Sequence, residues 1–248
     1  MNPALALFAF VPGLALGSFL NVVAARLPER RSVVHPRSMC MSCGSEIAWH
    51  DNIPVLSYLL LRGRCRGCGT RIGGLYLAVE LGTAALLVAC VARFGLSLEA
   101  AAASVLCVSL VVVTATDLTH RIVPNRVVLP AAVVVLVLMT AAEPSPEWAI
   151  AAVGASGFLL AAALAYPAGM GMGDVKLALL MGAALGRSVP LALLLGMFAA
   201  LVPSAVLLAR HGMRARKMAI PFAPFLALGS VVALFAGHAL IHAYLTLF

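Results

Sequence analysis

Long apolar runs separated by short charged gaps set the pattern of this chain. The runs cover about 4–25, 75–94, 100–116, 127–142, 149–168, 189–209 and 221–248. Each comes close to the roughly 20 residues that a helix needs to cross a hydrocarbon core of about 30 Å. A further apolar piece, 177–186, is only ten residues long. Its rise of about 15 Å cannot cross a bilayer unaided, although flanking residues can extend it.

Charge decides how these runs are threaded. The gap 26–74 holds eight Arg against Glu29, Glu46 and Asp51, and the gap after Asp117 carries Arg121 and Arg126. The stretch 210–217 holds four basic residues, whereas the gap 143–147 has Glu143 and Glu147 and no base. Cytoplasmic loops are enriched in Lys and Arg. Putting every basic gap on that side requires a crossing between Asp174 and Arg187, so the short piece counts as a span. The expected fold is an all-α polytopic membrane protein with about eight transmembrane helices and both termini outside. The first run has no basic residue before it, with Arg26, Arg30 and Arg31 after it. It therefore reads as a retained helix and not as a cleavable signal peptide.

Composition agrees. The chain has 248 residues, of which 63% are hydrophobic and 10% charged, with a mean hydropathy of +1.06. These values exclude an ordinary soluble domain. The net charge of +8 lies in the gaps, as expected for loops facing anionic membrane lipid and not for a nucleic-acid surface. Three regions follow: a first transmembrane helix 1–25, a cytoplasmic cysteine-bearing loop 26–74, and a membrane core 75–248. There is no tandem repeat or low-complexity segment.

At 49 residues the loop is too small to build a dependable core and needs a staple. Cys40-Met-Ser-Cys43 and Cys65-Arg-Gly-Cys68 form two C-x2-C pairs separated by 21 residues, and Gly44, Gly67 and Gly69 supply permissive backbone beside them. Cys40, Cys43, Cys65 and Cys68 suit a closed tetrahedral zinc site of the ribbon type, structural because no coordination position is left open. Two disulfides are the alternative, and a reducing compartment favours metal. Cys90 and Cys107 lie inside apolar runs and read as packing residues.

The candidate chemistry sits on Asp117 and Asp174, in a chain with only nine acidic residues. Asp117 closes the run Val111-Val-Val-Thr-Ala-Thr-Asp117, and Asp174 closes Gly169-Met-Gly-Met-Gly-Asp174. Carboxylates at the edge of apolar runs are expensive and mark functional sites. Two that approach closely cannot both ionise, so such a pair supplies an acid and a base together. The charge map puts both at the cytoplasmic ends of their helices, as a shallow, water-accessible pair. The bland alternative is two interfacial caps in headgroup water. Gly171 and Gly173 let backbone approach a substrate and permit a helix start at Asp174. Thr119-His120-Arg121-Ile-Val-Pro124 turns the chain after Asp117. Lys176 either favours the charged form of Asp174 or snorkels to the interface. Glu80 reads as a snorkelling or hydrogen-bonded group with a lesser claim to substrate contact, and Asn21 as an interhelical hydrogen-bonder.

These pieces resemble the type IV prepilin peptidases, polytopic aspartic proteases of the GxGD type, along nearly the whole chain. The matching elements occur in order: Gly17-Ser-Phe-Leu-Asn-Val22, the two cysteine pairs, Asp51-Asn-Ile-Pro54, Leu61-Arg-Gly-Arg-Cys65, Asp117 with Ile122-Val-Pro124, Gly171-Met-Gly-Asp-Val-Lys176, and Ile220-Pro-Phe-Ala-Pro-Phe225. The resemblance implies that Asp117 and Asp174 are the catalytic pair. The implied substrates are type IV prepilins or pseudopilins of pilus and type II secretion systems. Their basic leader is removed after a glycine at the cytoplasmic face of the bacterial inner membrane. Many members also N-methylate the new terminus with S-adenosylmethionine, an activity associated with the cysteine loop. Three departures stand out. Met41 replaces a common proline, and Ala223 replaces a usual glycine, which implies a stiffer loop before the last span. Gly74-Leu-Tyr-Leu-Ala-Val-Glu80 lacks the Arg and Pro that often flank that tyrosine. The loop also shows no G-x-G-x-x-G cradle. Two other readings of the residues remain: a proton-coupled membrane transporter using the paired aspartates, and a non-enzymatic zinc-ribbon assembly scaffold.

Overall fold

The computed structural model describes residues 3–167, 170–212 and 220–246. Gly169, the last residues of the 149–168 and 221–248 runs, and Arg214, Arg216 and Lys217 of the basic stretch lie outside the described residues. Among those described there are nine α-helices, two short 3-10 turns and two isolated β-bridges, and no strand. The chain forms two compact units, Met1–Leu96 and Ser97–Phe248.

In the first unit, α1 (Pro3–Arg26) packs along α3 (Gly74–Phe94). Gly13 and Gly17, one helical turn apart, face the Ala84 and Glu80 backbones. A Cβ at either glycine would lie 2.7 Å from the opposing Cα. In lipid no hydrophobic gain drives helices together, so close backbone approach at small residues holds such a pair. One turn on, Asn21 Nδ2 donates to the Tyr76 carbonyl at 3.0 Å, the interhelical role expected of it. Between the two helices lies the cysteine loop, with a 3-10 turn at Trp49–Asn52 and a short helix α2 (Leu56–Leu60).

The second unit contains α4 (Leu98–His120), α5 (Asn125–Ala142), α6 (Glu147–Ala165), α7 (Met172–Leu185), α8 (Val189–His211) and α9 (Ala223–Leu245). Its core is built from Leu106, Leu110, Val128, Leu159, Leu180 and Leu226, all at most 2% exposed. Helix ends are chemically marked. Ser97 Oγ caps α4 by accepting from Ala100 N at 3.1 Å, and Arg121 in the left-handed region (φ 56°) ends it. That helix runs one turn beyond the expected end of its apolar run, so Asp117 lies inside the last turn of α4 and not in the following gap.

Seven stretches are long and apolar enough to cross a membrane, and one of them, Met172–His211, spans 40 residues. It is broken at Gly186–Ser188, where Gly186 takes φ 51°, which separates α7 from α8. Just past the first turn of α7 comes Lys176, whose Nζ donates to Asn125 Oδ1 at 3.0 Å, at the start of α5. Just past its far end, Arg187 N and Nε donate to Glu147 at the start of α6, both at 2.9 Å. α7 thus runs from one end of the unit to the other, with a rise of about 21 Å for its 14 residues. α8 returns antiparallel to α9: Ser188 lies beside Gly237, and Gly196 beside Phe225. The short piece is a helix of its own, extended at its N-terminal side to Met172, and the chain is an all-α, multi-pass membrane protein with eight long helices among the described residues.

Candidate functional site

Asp117 and Asp174 arrive at the same end of the second unit from two different helix termini. Asp117 sits in the last turn of α4 and is 7% exposed. One of its oxygens, Oδ2, accepts the backbone N–H of Ala223 at 3.1 Å, the first residue of α9. A helix N-terminus offers unpaired N–H groups and partial positive charge, a natural partner for a carboxylate. Asp174 is half-buried in the first turn of α7. Its carboxylate reaches back toward the Gly171 amide, the reciprocal contact of an N-terminal capping box. The two carboxylates are near enough for their charges to repel.

Val123 sets this approach. It lies in the 121–124 link between α4 and α5 and seats on Gly173, where an added Cβ would meet Val123 Cβ at 2.7 Å. Any side chain there would push the link, and with it the end of α4, away from α7. Gly171 differs. It is the N-cap with φ −80°, and a Cβ on it would make only ordinary contacts, with Asp174 Oδ2 at 3.7 Å and Gly173 N at 3.9 Å. The helix therefore begins at Met172 and not at Asp174, and what approaches Gly173 is the chain's own Val123.

Other expectations change in detail. The pair is less open than a shallow, water-accessible one, because α4 extends past Asp117 and α9 abuts it. Lys176 pairs with Asn125, and no ion pair with Asp174 is found among the described residues. Ala223 belongs to no loop. It is the first residue of α9, fully buried, and its methyl occupies space while its amide serves Asp117. Val123, Asn125 and the Ala223 amide were not singled out by sequence. The only hint was the Ile122-Val-Pro124 string, which gives no partner.

The first unit carries the second candidate site. The four Sγ atoms of Cys40, Cys43, Cys65 and Cys68 lie within 4.8 Å of one another, and Cys40 Sγ is 3.8 Å from Cys68 Sγ. A disulfide requires about 2.05 Å, so that pair is not bonded. Ligands about 2.3 Å from a tetrahedral ion lie about 3.8 Å apart, which the spacing matches. The cluster can hold a metal ion, and the loop is zinc-ribbon-like.

The two halves are copies. Cys40 N donates to Ser45 O and Gly44 N to Cys40 O, both at 2.9 Å. Cys65 N donates to Thr70 O and Gly69 N to Cys65 O at the same 2.9 Å. Gly44 and Gly69 each adopt φ 70°, where a side chain is strained; Gly67 does not. An antiparallel bridge closes each knuckle, Met39 with Glu46 and Arg64 with Arg71. The repeat was legible as C-x2-C-G-[S/T] but is too short to register as tandem repetition.

The knuckles also favour thiolate at three of the four sulfurs. The hydroxyl and backbone of Ser45 hold the Cys43 thiol below its ordinary value. Thr70 does the same for Cys68, and the amides of Cys68 and Gly67 for Cys65. At Cys40 the amides of Cys43 and Ser42 pull down, but burial and the thiols of Cys65 and Cys43 leave it raised. Arg66, inside the second knuckle, grips Asp51 with two bonds of 2.7 and 2.6 Å. Those bonds hold the Asp51 carboxyl below the usual carboxylate range. Glu80 proves to be hydrogen-bonded: its Oε2 accepts Val55 N at 2.7 Å.

A multi-pass helical bundle with a carboxylate pair at one end, joined in one chain to a four-thiol loop, defines a narrow class of membrane protein. The chain belongs to the type IV leader peptidase family. The family model of that name matches residues 104–205, which contain both aspartates, and a Bacterial Peptidase A24 N-terminal domain matches 11–94, which contain all four clustered cysteines. A protein of Bacillus subtilis named prepilin leader peptidase/N-methyltransferase is 36% identical, the match covering 95% of this chain and 96% of that one. One of the same name from Burkholderia pseudomallei is 36% identical over 93% of this chain and 85% of that one. Another, from Myxococcus xanthus, is 43% identical over 75% of this chain but only 47% of its own length. No solved structure matches.

Proposed function

We propose that this chain is an aspartic endopeptidase that removes the basic leader from type IV prepilins or pseudopilins after a glycine, with Asp117 and Asp174 as its catalytic pair. The observation that carries this reading is the convergence of the two carboxylates at one end of the helical core, clamped by Val123 on Gly173. In the reaction one carboxylate is charged and takes a proton from water as its oxygen attacks the scissile carbonyl carbon. The other, protonated, polarises the carbonyl oxygen. The C–N bond then breaks and the new amine takes up a proton. No metal takes part.

The charge map supports a cytoplasmic location for this chemistry. The aspartate end of the second unit carries Arg121, Arg126 and Lys176, whereas the opposite end has Glu143 and Glu147 against Arg187. In the first unit the loop between α1 and α3 is likewise Arg-rich. Both patterns fit loops inside a bacterial inner membrane. A leader that is itself basic stays on that side, next to the pair. The four thiols are read as a structural zinc site. N-methylation is carried over from the names of the relatives, and S-adenosylmethionine as the methyl donor from the family resemblance.

The test is co-expression with a prepilin. Asp117→Asn and Asp174→Asn should each abolish leader removal while the protein still accumulates in the membrane, and normal processing by both would sink the proposal. Mass spectrometry of the processed pilin terminus reads the cleavage position and any added methyl group together. Zinc content of the purified protein tests the metal independently.

A further inference from the structure

The short helix α2 is inside out for a loop in water. Its three leucines, Leu56, Leu59 and Leu60, follow i, i+3, i+4 spacing and so share one face, and they are 50%, 61% and 73% exposed. Its serine is the buried residue: Ser57 is 6% exposed, with Oγ donating to His50 O at 2.7 Å and accepting Ile53 N at 3.1 Å. Tyr58 also turns inward, its hydroxyl donating to Ile72 O at 3.3 Å. The polar face is thus the one bound to the loop, and the apolar face is left outward.

The depth of α2 says what lies against that face. Val55, which precedes the helix, is held in the left-handed region (φ 62°), costly for a β-branched residue. Its N–H is fixed by Glu80, six residues into the span Gly74–Phe94. Helical side chains lean toward the N-terminus, so α2 starts level with the first two turns of a membrane-spanning helix. Immediately after α2 come Arg62 and Arg64, exposed and without an ion pair among the described residues. An apolar face at interfacial depth, followed by unpaired arginines, has the composition of a segment lying in an anionic lipid surface.

We infer that α2 is an interfacial membrane helix, with Leu56, Leu59 and Leu60 in the shallow acyl region and Arg62 and Arg64 at anionic headgroups. Loop 26–74 is then seated on the bilayer between its two tethers and does not project freely from it.

The chain has two tryptophans, Trp49 and Trp148, so a site-specific reporter is simple to build. Full-length protein with Trp49→Phe, Trp148→Phe and Leu59→Trp is reconstituted in phosphatidylethanolamine–phosphatidylglycerol vesicles. The lipids carry bromine at the shallow end or the middle of the acyl chain. The expected result is blue-shifted emission, with intensity lost mainly to shallow bromines and protected from aqueous acrylamide. The same change made with Leu60→Trp repeats the reading at a position where an exposed residue is again replaced, should one variant fold poorly. Quenching by acrylamide and not by bromine would overturn the inference in favour of a solvated loop. Quenching by neither would overturn it in favour of a protein surface covering the face.

Discussion

Gly173 and Gly171 are two residues apart in one motif but have different physical duties. Gly173 is the seat of Val123, and a methyl there must displace a β-carbon that cannot swing aside. Gly173→Ala should cost about 1–3 kcal/mol in stability, as overpacking does, and should slow prepilin cleavage by moving α4 from α7. Gly171→Ala should leave both nearly unchanged. Adding Val123→Gly to Gly173→Ala removes that β-carbon and should restore cleavage and most of the melting temperature; without that rescue the seating argument fails. Asp51 allows a pH prediction. Because Arg66 depresses its carboxyl, the pair stabilises the folded loop above the ordinary carboxylate value and stops doing so as pH falls through the lowered one. The difference in thermal stability between wild type and Asp51→Asn should therefore be present at neutral pH and vanish in acid.

Among the elements, the knuckles and the short crossing carry the argument. Gly44 and Gly69 sit at φ 70°, so Ala at either should cost about 1 kcal/mol and weaken zinc retention modestly. Cys40→Ser, which removes a ligand, should weaken it severely. Zinc content after dialysis against a graded chelator ranks the three variants. The helices themselves were legible in the apolar runs to within a few residues, because a membrane span has to be long, apolar and bounded by polar gaps. α4 is the informative miss. Its apolar run stops at Thr116, but the backbone continues to His120, since helical hydrogen bonding does not end with hydrophobicity. The pair Asp117 and Asp174 was legible as charge in the wrong solvent. Their supports were not, because Val123 on Gly173, Lys176 on Asn125 and the Ala223 amide depend on which links pack together, and no local pattern encodes that.

For the whole molecule, the reading of eight crossings makes a prediction that composition alone would miss. Residues 172–211 could be counted as a single span, but the break at Gly186–Ser188 and the contact of Arg187 with Glu147 divide them into two helices. A topology reporter placed in the 143–147 gap should read outside, and one fused after His211 should read inside. A reporter after His211 that reads outside would mean that α7 does not cross, and would put the two aspartates on a different footing from the basic loops.

The paired knuckles have a consequence for how the protein is made. Either knuckle alone presents two sulfurs, and the other two lie across 21 intervening residues, so a half-built site must still meet the entropy of closing that loop. The set is complete only when Cys68 has left the ribosome, six residues before α3 begins at Gly74. On the proposed zinc reading, metal capture and delivery of the second span to the membrane therefore fall at nearly the same moment of synthesis. A cell short of metal at that moment would be left with an unstapled loop hanging between two spans that are already committed to the bilayer.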